Sequence, residues 1–360
     1  MDFSFAGLHA QARFQKFAVG LRGSLESHGH RWVEDPETAS LVVNFFESDD
    51  IKPFRRRAQA VFLVGVSAID TPFTAPIPQG YPLLVRSLSN LMLTMAPGDS
   101  ADPDLHFMTP EQGHYVVDGS HGEKEYFERV YKRIEPLATS RLVINNLFEP
   151  DLPEELHNGN ATTDSISRAG QELAKLDLLP APFPMDEVLE ERDVKHLKRL
   201  FGIGGLSYGN LSARHDEKTF WMSASGVDKS NLREIGRDIL LVTDYDEERN
   251  AMLLSVPPDV EPRRVSVDAI EHWMVYREHP DVGAILHVHA WMHEIRSTEF
   301  NYPCGTYELG VAVAGIIREA EDPSRAVVGL KNHGLTITGR SLDEIFERVD
   351  GKLLRVVPMS

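Results

Sequence analysis

Two histidines, His287 and His289, have the spacing of ligands to a single metal ion. They lie in the apolar segment 282–289, where the alternation of side chains predicts a β-strand. Because side chains at positions i and i+2 of a strand point to the same face, both imidazoles can reach one ion from a rigid support. A histidine on an apolar strand is more often a core residue, so the pair alone is a weak indication of a metal site.

A third histidine, His333, strengthens the hypothesis of a metal site. It lies between two strand-like segments, 326–330 and 335–338, so we expect it at a turn. A turn beside the first strand would bring it next to His287 and His289. Three imidazole nitrogens leave coordination positions open for water or substrate, which is typical of a catalytic rather than a structural metal site.

Further motifs surround these histidines. In chain order they are Ser-Tyr-Gly-Asn-Leu-Ser-Ala-Arg at 207–214, Met-Ser-Ala-Ser-Gly-Val-Asp-Lys at 222–229, His-Trp-Met-Val-Tyr-Arg-Glu-His-Pro-Asp-Val at 272–282, His-Val-His at 287–289 and Asn-His-Gly at 332–334. Together and in this order they resemble the class II aldolase/adducin family. The resemblance covers about residues 160–360, and the first 150 residues lie outside it.

The resemblance implies a fold, a metal and an assembly for residues 160–360. The fold is an α/β/α domain with a central, mainly antiparallel sheet. The metal is a divalent ion on His287, His289 and His333. We expect zinc, with manganese, iron or cobalt as alternatives, because imidazole ligands discriminate weakly among these ions. Relatives are commonly tetramers, so a homo-oligomer is expected.

The resemblance also implies binding of a small anionic substrate. The residues that match the family's substrate-binding positions are Gly209, Asn210, Ser223, Ser225, Gly226 and Ser266. Glycine allows backbone N–H groups to approach a phosphate or carboxylate closely, which makes this role chemically reasonable. Without the resemblance, the glycine-rich segment 201–210 would be interpreted as a tight turn, since it lacks the Walker sequence.

Asp268 is the predicted catalytic group. Many relatives carry two serines and an acidic residue here, and the carboxylate serves as a base or approaches the metal. This chain has Ser266 and Asp268 but Val267 in place of the second serine, which weakens the case for a sugar phosphate. Alternatively, Asp268 is only a charge favoured at the start of a helix over 269–279, with Ser266 as its N-cap. Glu271 is the alternative base.

The resemblance implies a metal-dependent lyase that acts through an enediolate on a small hydroxy-carbonyl or hydroxy-carboxylate substrate. Relatives catalyse aldol cleavage, decarboxylation and sugar-phosphate 4-epimerisation. The missing serine and the short segment 290–302 favour aldol cleavage or decarboxylation over epimerisation. A non-catalytic, adducin-like binding or oligomerisation protein is the alternative from another class. Cys304 is predicted to be structural, because the sequence identifies no base that would activate its thiol.

Composition excludes several other classes of protein. The net charge of −18 argues against binding to nucleic acid or to an anionic membrane surface. No apolar segment approaches the length needed to span a bilayer, and the first residues lack the pattern of a secretory signal. A single cysteine gives no reason to expect an oxidising compartment. We therefore expect a cytoplasmic protein without membrane or nucleic-acid partners.

The length of 360 residues predicts two domains, and the segment 150–160, which has the composition of a linker, marks their boundary. Residues 1–150 are predicted to form a flavodoxin-like α/β domain of unknown function, because strands and helices alternate. Its predicted strands are 39–46, 60–66, 114–118 and 141–146, and its helices are 11–30, 81–95 and 123–137. In residues 160–360, helices are predicted at 165–178 with Ser165 as N-cap, at 187–201, at 269–279 and after Ser341.

Overall fold

The structure is a computed structural model that describes residues 1–7, 11–57, 61–100, 102–110, 113–180, 183–195 and 208–360. The chain divides into two compact units. The first comprises Met1–Ser140, Pro184–Leu200 and Met359–Ser360, and the second comprises Arg141–Phe183 and Phe201–Pro358. The change of unit at residue 141 therefore precedes the predicted linker, and a short later segment returns to the first unit.

The first unit contains a seven-stranded sheet. Its strands are β1 (Asp2–Ala6), β2 (Arg31–Trp32), β3 (Leu41–Phe45), β4 (Phe62–Ala68), β5 (Leu91–Ala96), β6 (Asp104–Thr109) and β7 (Gly113–Val117). The order is β2-β1-β3-β4-β5-β6-β7, with β1–β5 parallel and β6 and β7 antiparallel. Because 2-1-3-4-5 is the flavodoxin order, the predicted fold class of this region is confirmed.

Three helices of the first unit alternate with groups of these strands along the chain: α1 (Ala12–Ser27), α2 (Pro76–Ser87) and α3 (Glu123–Thr139). The helix predicted over 81–95 is wrong in both its start and its end. It begins at Pro76, it is ended by Leu88 in a left-handed conformation with φ 60°, and the next apolar run is strand β5. A short continuous apolar run does not distinguish a buried strand from a buried helix, which explains the error.

The second unit contains a nine-stranded sheet. Its strands are β8 (Asn145–Glu149), β9 (Asn210–Arg214), β10 (Phe220–Ser223), β11 (Ile239–Asp246), β12 (Ala251–Ser255), β13 (Ala284–Val288), β14 (Arg296–Ser297), β15 (Val327–Leu330) and β16 (Gly334–Gly339). The order is β14-β15-β16-β13-β9-β10-β11-β12-β8. The outermost pair at each edge is parallel and the inner pairs are antiparallel, so the predicted mainly antiparallel sheet is confirmed.

Strand β8 differs from the prediction in position and in partner. The prediction placed a strand at 141–146 in the sheet of the first domain. In the structure the strand begins at Asn145, and it pairs in parallel with β12 of the second sheet. Local periodicity indicates that a strand is present, but the pairing partner is decided by contacts distant in sequence.

The helices of the second unit are α4 (Ala161–Lys175), α6 (Ala269–Glu278), α7 (Tyr307–Arg318) and α8 (Leu342–Val349), while α5 (Met185–Val188) belongs to the first unit. Residues 191–195 are also helical, and the rest of the helix predicted at 187–201 lies outside the described residues. Among the described residues, no helix has the length and apolarity that spanning a membrane requires.

The structure contradicts two of the predicted N-cap residues and agrees with a third. Asn160, rather than Ser165, caps α4, because its side chain accepts the N–H groups of Thr162 and Thr163. Asp268, rather than Ser266, is the N-cap residue of α6, although its carboxylate bonds elsewhere. Ser341 accepts the N–H of Glu344 and caps α8 as predicted.

Candidate metal centre

The three predicted histidines lie together at the end of β13, the strand between β9 and β16. One nitrogen from each of His287, His289 and His333 lies within 4.8 Å of the other two. The shortest separation is 3.1 Å, between the Nε2 atoms of His333 and His289. His287 and His333 are 2% and 3% exposed and His289 is half-buried, so this cluster is largely shielded from bulk water.

A tight turn brings His333 to this position. Residues 331–333 connect β15 to β16, with Asn332 in a left-handed conformation at φ 57° and the His333 N–H donating to the Leu330 carbonyl at 3.0 Å. The next residue, Gly334, passes so close to β13 that a Cβ there would lie 2.3 Å from the Val288 carbonyl oxygen. Asparagine tolerates the left-handed conformation and glycine permits the close approach, which explains the Asn-His-Gly sequence.

The hydrogen bonds of the histidines suit binding of a divalent cation. Nδ1 of His287 lies 3.0 Å from the Leu335 carbonyl oxygen and therefore carries the proton, which leaves Nε2 as an electron-pair donor. That Nε2 is buried and has no hydrogen-bond partner among the described residues. Burial lowers the pKa of His287 and holds the pKa of both His289 and His333 well below the usual value. Neutral imidazoles are the form that binds metals.

One row of side chains extends across three strands beside this cluster. Asn210 on β9 and Thr336 on β16 are both in register with His287, so the three side chains share a face of the sheet. Helix α6 covers that face. Its Asp268 carboxylate accepts a hydrogen bond from Asn210 Nδ2 at 2.7 Å, and its Glu271 carboxyl accepts one from Thr336 Oγ1. Two buried acids therefore flank His287.

The two acids have different surroundings. The second oxygen of Asp268 accepts the Gly305 N–H at 3.3 Å, so both of its oxygens are hydrogen-bonded. Burial, reinforced by the charge of Asp268 and opposed by the bond from Thr336, raises the pKa of Glu271 to about 8. Glu271 therefore holds a proton at neutral pH in the protein without metal.

Lys229 is a further buried group that sequence reasoning did not identify. It is the last residue of the 222–229 motif, and its side chain is only 3% exposed. Burial lowers the pKa of its ammonium group to about 8, and the nearby charges of Asp268 and Asp228 oppose this effect. Lysine is seldom fully buried unless it is paired, so its burial was not expected from its residue type. In the sequence, its position at the end of the 222–229 motif was the available sign of a functional role.

The predicted substrate-binding residues fall into two groups. Gly209, at φ 71°, and Asn210 lie directly beside β13, since a Cβ on Gly209 would lie 2.4 Å from the His287 carbonyl oxygen. Ser223, Ser225 and Gly226 lie at the end of β10 and in the second loop, which follows it, and Ser266 lies just before α6. Ser223 is fully buried and its hydroxyl accepts the Leu211 N–H, while Ser225 is half-buried.

This second loop is tied to the segment that leads into α6. The N–H of Ser225 donates to the Arg264 carbonyl at 2.9 Å, and the N–H of Ser266 donates to the Ser223 carbonyl at 3.2 Å. Gly226 has a left-handed φ of 70°. The backbone thus joins the loop at 223–226 to Ser266, and the hydroxyl oxygen of Ser223 accepts the Leu211 N–H from β9.

Comparison with known proteins identifies the region that carries these residues. Residues 194–350 match the family model described as "Class II Aldolase and Adducin N-terminal domain". This region is similar to the class II aldolase/adducin family. Family members generally use a divalent metal, usually zinc, and commonly form oligomers that act on small substrates. For this chain, the identity of the metal, the oligomeric state and the cellular compartment stay predictions.

Two curated relatives are methylthioribulose-1-phosphate dehydratases. The protein from Xanthomonas campestris pv. campestris (strain B100) is 32% identical over 88 residues, which are 24% of this chain and 35% of the relative. The protein from Stenotrophomonas maltophilia (strain R551-3) is 32% identical over 111 residues, which are 29% of this chain and 46% of the relative. The chain therefore spans less than half the length of these relatives.

A solved structure also resembles this chain distantly. It is YgbL from Klebsiella pneumoniae, which is described with three alternative activities, aldolase, epimerase or decarboxylase. The identity is 17% and the TM-score is 0.35, and the alignment covers 52% of this chain and 83% of that one.

Proposed function

We propose that the second unit is a metal-dependent lyase that acts on a small substrate with adjacent hydroxyl and carbonyl or carboxylate oxygens. The observation that carries the proposal is the convergence of three neutral imidazoles, one with an unpaired buried Nε2, on the same face as two buried acids. The match of residues 194–350 to the class II aldolase/adducin family model and the dehydratase activity named for the curated relatives support it.

His287, His289 and His333 would hold the ion, and we propose zinc. The ion would supply a Lewis acid that stabilises negative charge on the substrate oxygens during reaction. The hydrogen bond from His287 Nδ1 to the Leu335 carbonyl would orient the ring and keep its Nε2 unprotonated. His287 and His333 are buried and His289 is half-buried, which would limit access of water to the reacting centre.

Asp268 is the proposed proton-transfer group. Its alternative role as a helix-start charge is less well supported, because its carboxylate makes no capping hydrogen bond to α6. Instead it is held by Asn210 and Gly305, which fix its position beside the row that contains His287. A carboxylate held by two donors is oriented to accept a proton from a substrate and to return it. Glu271, already protonated at neutral pH, is the alternative group.

We propose aldol cleavage or decarboxylation as the reaction, with dehydration of a ketose phosphate as a second candidate. Dehydration is favoured by the names of the curated relatives. Against a phosphate substrate, Val267 has no hydroxyl where many relatives have one. The half-buried Ser225 and the backbone at Gly226 are the proposed contacts for a smaller anionic group.

Metal analysis and substrate screening test this proposal together. The purified protein should contain divalent metal in a stoichiometric amount, and His289→Ala should lose it. Hydroxy-ketone phosphates, including methylthioribulose 1-phosphate, and hydroxy-carboxylates should then be screened with the metal-loaded and the chelator-treated protein. The product distinguishes cleavage of a C–C bond from loss of water. Absence of metal in the wild-type protein, or turnover that survives complete metal removal, would refute the proposal.

A further inference from the structure

The rings of the three histidines are not oriented in the same way. His287 donates its Nδ1–H to the Leu335 carbonyl oxygen, which fixes the plane of its imidazole. His289 has no equivalent bond. Its Nε2 faces His333 Nε2 at 3.1 Å, while its Nδ1 is buried and has no hydrogen-bond partner among the described residues. The imidazole of His289 is therefore not oriented by a hydrogen bond from its outer nitrogen.

The backbone also holds His289 less firmly than His287. Strand β13 ends at Val288, so His287 is paired with both neighbouring strands, whereas His289 lies one residue beyond the paired segment. His289 is also half-buried, while the other two histidines of the cluster are buried. A ligand in this position needs support from a neighbouring side chain if its nitrogen is to stay directed at one point.

Tyr208 packs against the ring of His289. The two ring centroids are 4.9 Å apart and the ring planes meet at 65°, an edge-to-face arrangement within the range that aromatic pairs prefer. Tyr208 is 8% exposed, so the contact is formed inside the protein. The other ring contacts of His289 in the described part of the chain are with His287 and His333. Tyr208 is thus the aromatic neighbour of His289 that does not belong to the cluster itself.

The backbone of Tyr208 is fixed on both sides. Its N–H donates to the Leu179 carbonyl at 2.8 Å. The next residue, Gly209, lies so close to β13 that a Cβ there would be 2.4 Å from the His287 carbonyl oxygen, and strand β9 begins one residue later. The Cα of Tyr208 is therefore anchored beside β13, the strand that leads to His289. Its ring offers His289 a fixed surface.

We propose that Tyr208 is a positioning residue of the metal centre, whose aromatic ring holds the His289 imidazole with Nε2 directed at the ion. This inference rests on the proposed metal centre and concerns the orientation of one ligand. With the ion on Nε2, the proton of His289 remains on Nδ1, where no acceptor lies among the described residues. Packing against the Tyr208 ring then takes the place of the hydrogen bond that orients His287. The role belongs to the ring, so phenylalanine should fulfil it and an aliphatic side chain should not.

The zinc affinity of the metal-free protein tests the proposal without any substrate. Loss of an outer support of a metal ligand costs about 10–100-fold in affinity, so Tyr208→Leu should weaken zinc binding by at least about 10-fold. Tyr208→Phe should bind zinc within about threefold of the wild-type protein. The measurement is a competition titration against a chromophoric chelator, with circular dichroism to confirm that each variant is folded. If Tyr208→Leu does not fold, Tyr208→Met, which is flexible and has no ring, replaces it.

The matched control is Tyr245→Leu. Tyr245 is 9% exposed and also forms an edge-to-face pair, with 5.5 Å between its ring centroid and that of Trp273, but it lies outside the histidine cluster. Its substitution should lower the free energy of unfolding without changing zinc affinity. Saturating Co²⁺ gives a second measurement, because its visible ligand-field bands report the geometry of the ligands. These bands should change in Tyr208→Leu and should match the wild-type bands in Tyr208→Phe and Tyr245→Leu.

The outcomes separate this inference from the proposed function. Zinc affinity of Tyr208→Leu within about threefold of the wild-type value, with unchanged cobalt bands, would overturn the role of Tyr208 and leave the histidine site intact. Equal losses in Tyr208→Phe and Tyr208→Leu would also overturn it, because the hydroxyl rather than the ring would then be required. A comparable loss in Tyr245→Leu would overturn it as well, since the effect would be one of general stability. Failure of the wild-type protein to bind any zinc or cobalt would instead refute the metal centre, and the role of Tyr208 with it.

Discussion

Substitution of the proposed proton-transfer group is the most informative single change in the second unit. Asp268 accepts hydrogen bonds from Asn210 Nδ2 at 2.7 Å and from the Gly305 N–H at 3.3 Å, one on each oxygen. In Asp268→Asn, the new amide has one oxygen, so it can serve only one of these donors. The other donor then faces an NH₂ group in a site where the wild-type side chain is 5% exposed.

Two magnitudes follow for Asp268→Asn. One unpaired buried donor costs about 1–3 kcal/mol, so the free energy of unfolding should fall by that amount while the fold is retained. Loss of a general acid–base group typically costs ~10²–10⁴-fold, so kcat should fall within this range while the metal content stays stoichiometric. The assay combines metal analysis, thermal unfolding and steady-state kinetics on the substrate found by screening.

The matched control is Asp244→Asn. Asp244 is exposed, and its carboxylate also accepts two hydrogen bonds, from Trp273 Nε1 at 3.1 Å and from the Tyr245 N–H at 2.9 Å. Its substitution should leave kcat unchanged. A kcat for Asp268→Asn within about threefold of the wild-type value, with metal retained, would refute the assignment. A large loss in Glu271→Gln alone would transfer the role to Glu271.

Other predictions concern metal binding, pH, packing and assembly. His289→Ala should remove the metal, as measured by elemental analysis. In calorimetry its thermal midpoint should lie below that of the wild-type protein when zinc is supplied and equal it when zinc is absent. Between pH 4.5 and about 8 the folded metal-free protein keeps a proton on Glu271 that the unfolded chain releases, so stability should fall as pH rises through this window. Glu271→Gln should flatten that dependence in denaturant titrations. Gly334→Ala should lower the free energy of unfolding by about 1–3 kcal/mol, because its Cβ would lie 2.3 Å from the Val288 carbonyl oxygen. The control is Gly315→Ala in α7, where an added Cβ would have no neighbouring heavy atom within 4 Å. It should raise the free energy of unfolding by about 0.5–1 kcal/mol. Light scattering should show a homo-oligomer, and a monomer at micromolar concentration would contradict that prediction.

Side-chain direction in the metal centre was predictable from the sequence. The parity of a β-strand requires His287 and His289 to share a face, and in the structure their ring centroids are 5.2 Å apart. The Asn-His-Gly sequence indicated a turn, and the turn at 331–333 carries His333. Both inferences rest on local rules of backbone geometry, which hold wherever the strand lies in the fold.

The tertiary structure decided which groups meet these histidines. No local rule indicates that Asn210, His287 and Thr336 align on three neighbouring strands, or that α6 places Asp268 and Glu271 over them. The burial of Lys229 and the contact of Cys304 with His333 were likewise not predictable, because each joins segments distant in the chain.

The same distinction explains the errors in the secondary structure. Residues 91–96 form a strand rather than the end of a helix, and β8 pairs with β12 of the second sheet. In both places an apolar run fits either of two local structures or either of two sheets. The sequence determines the periodicity and the turns. Burial against a particular neighbour then selects between helix and strand, or between the two sheets. The reason is that most of the free energy of packing comes from contacts that local patterns do not encode.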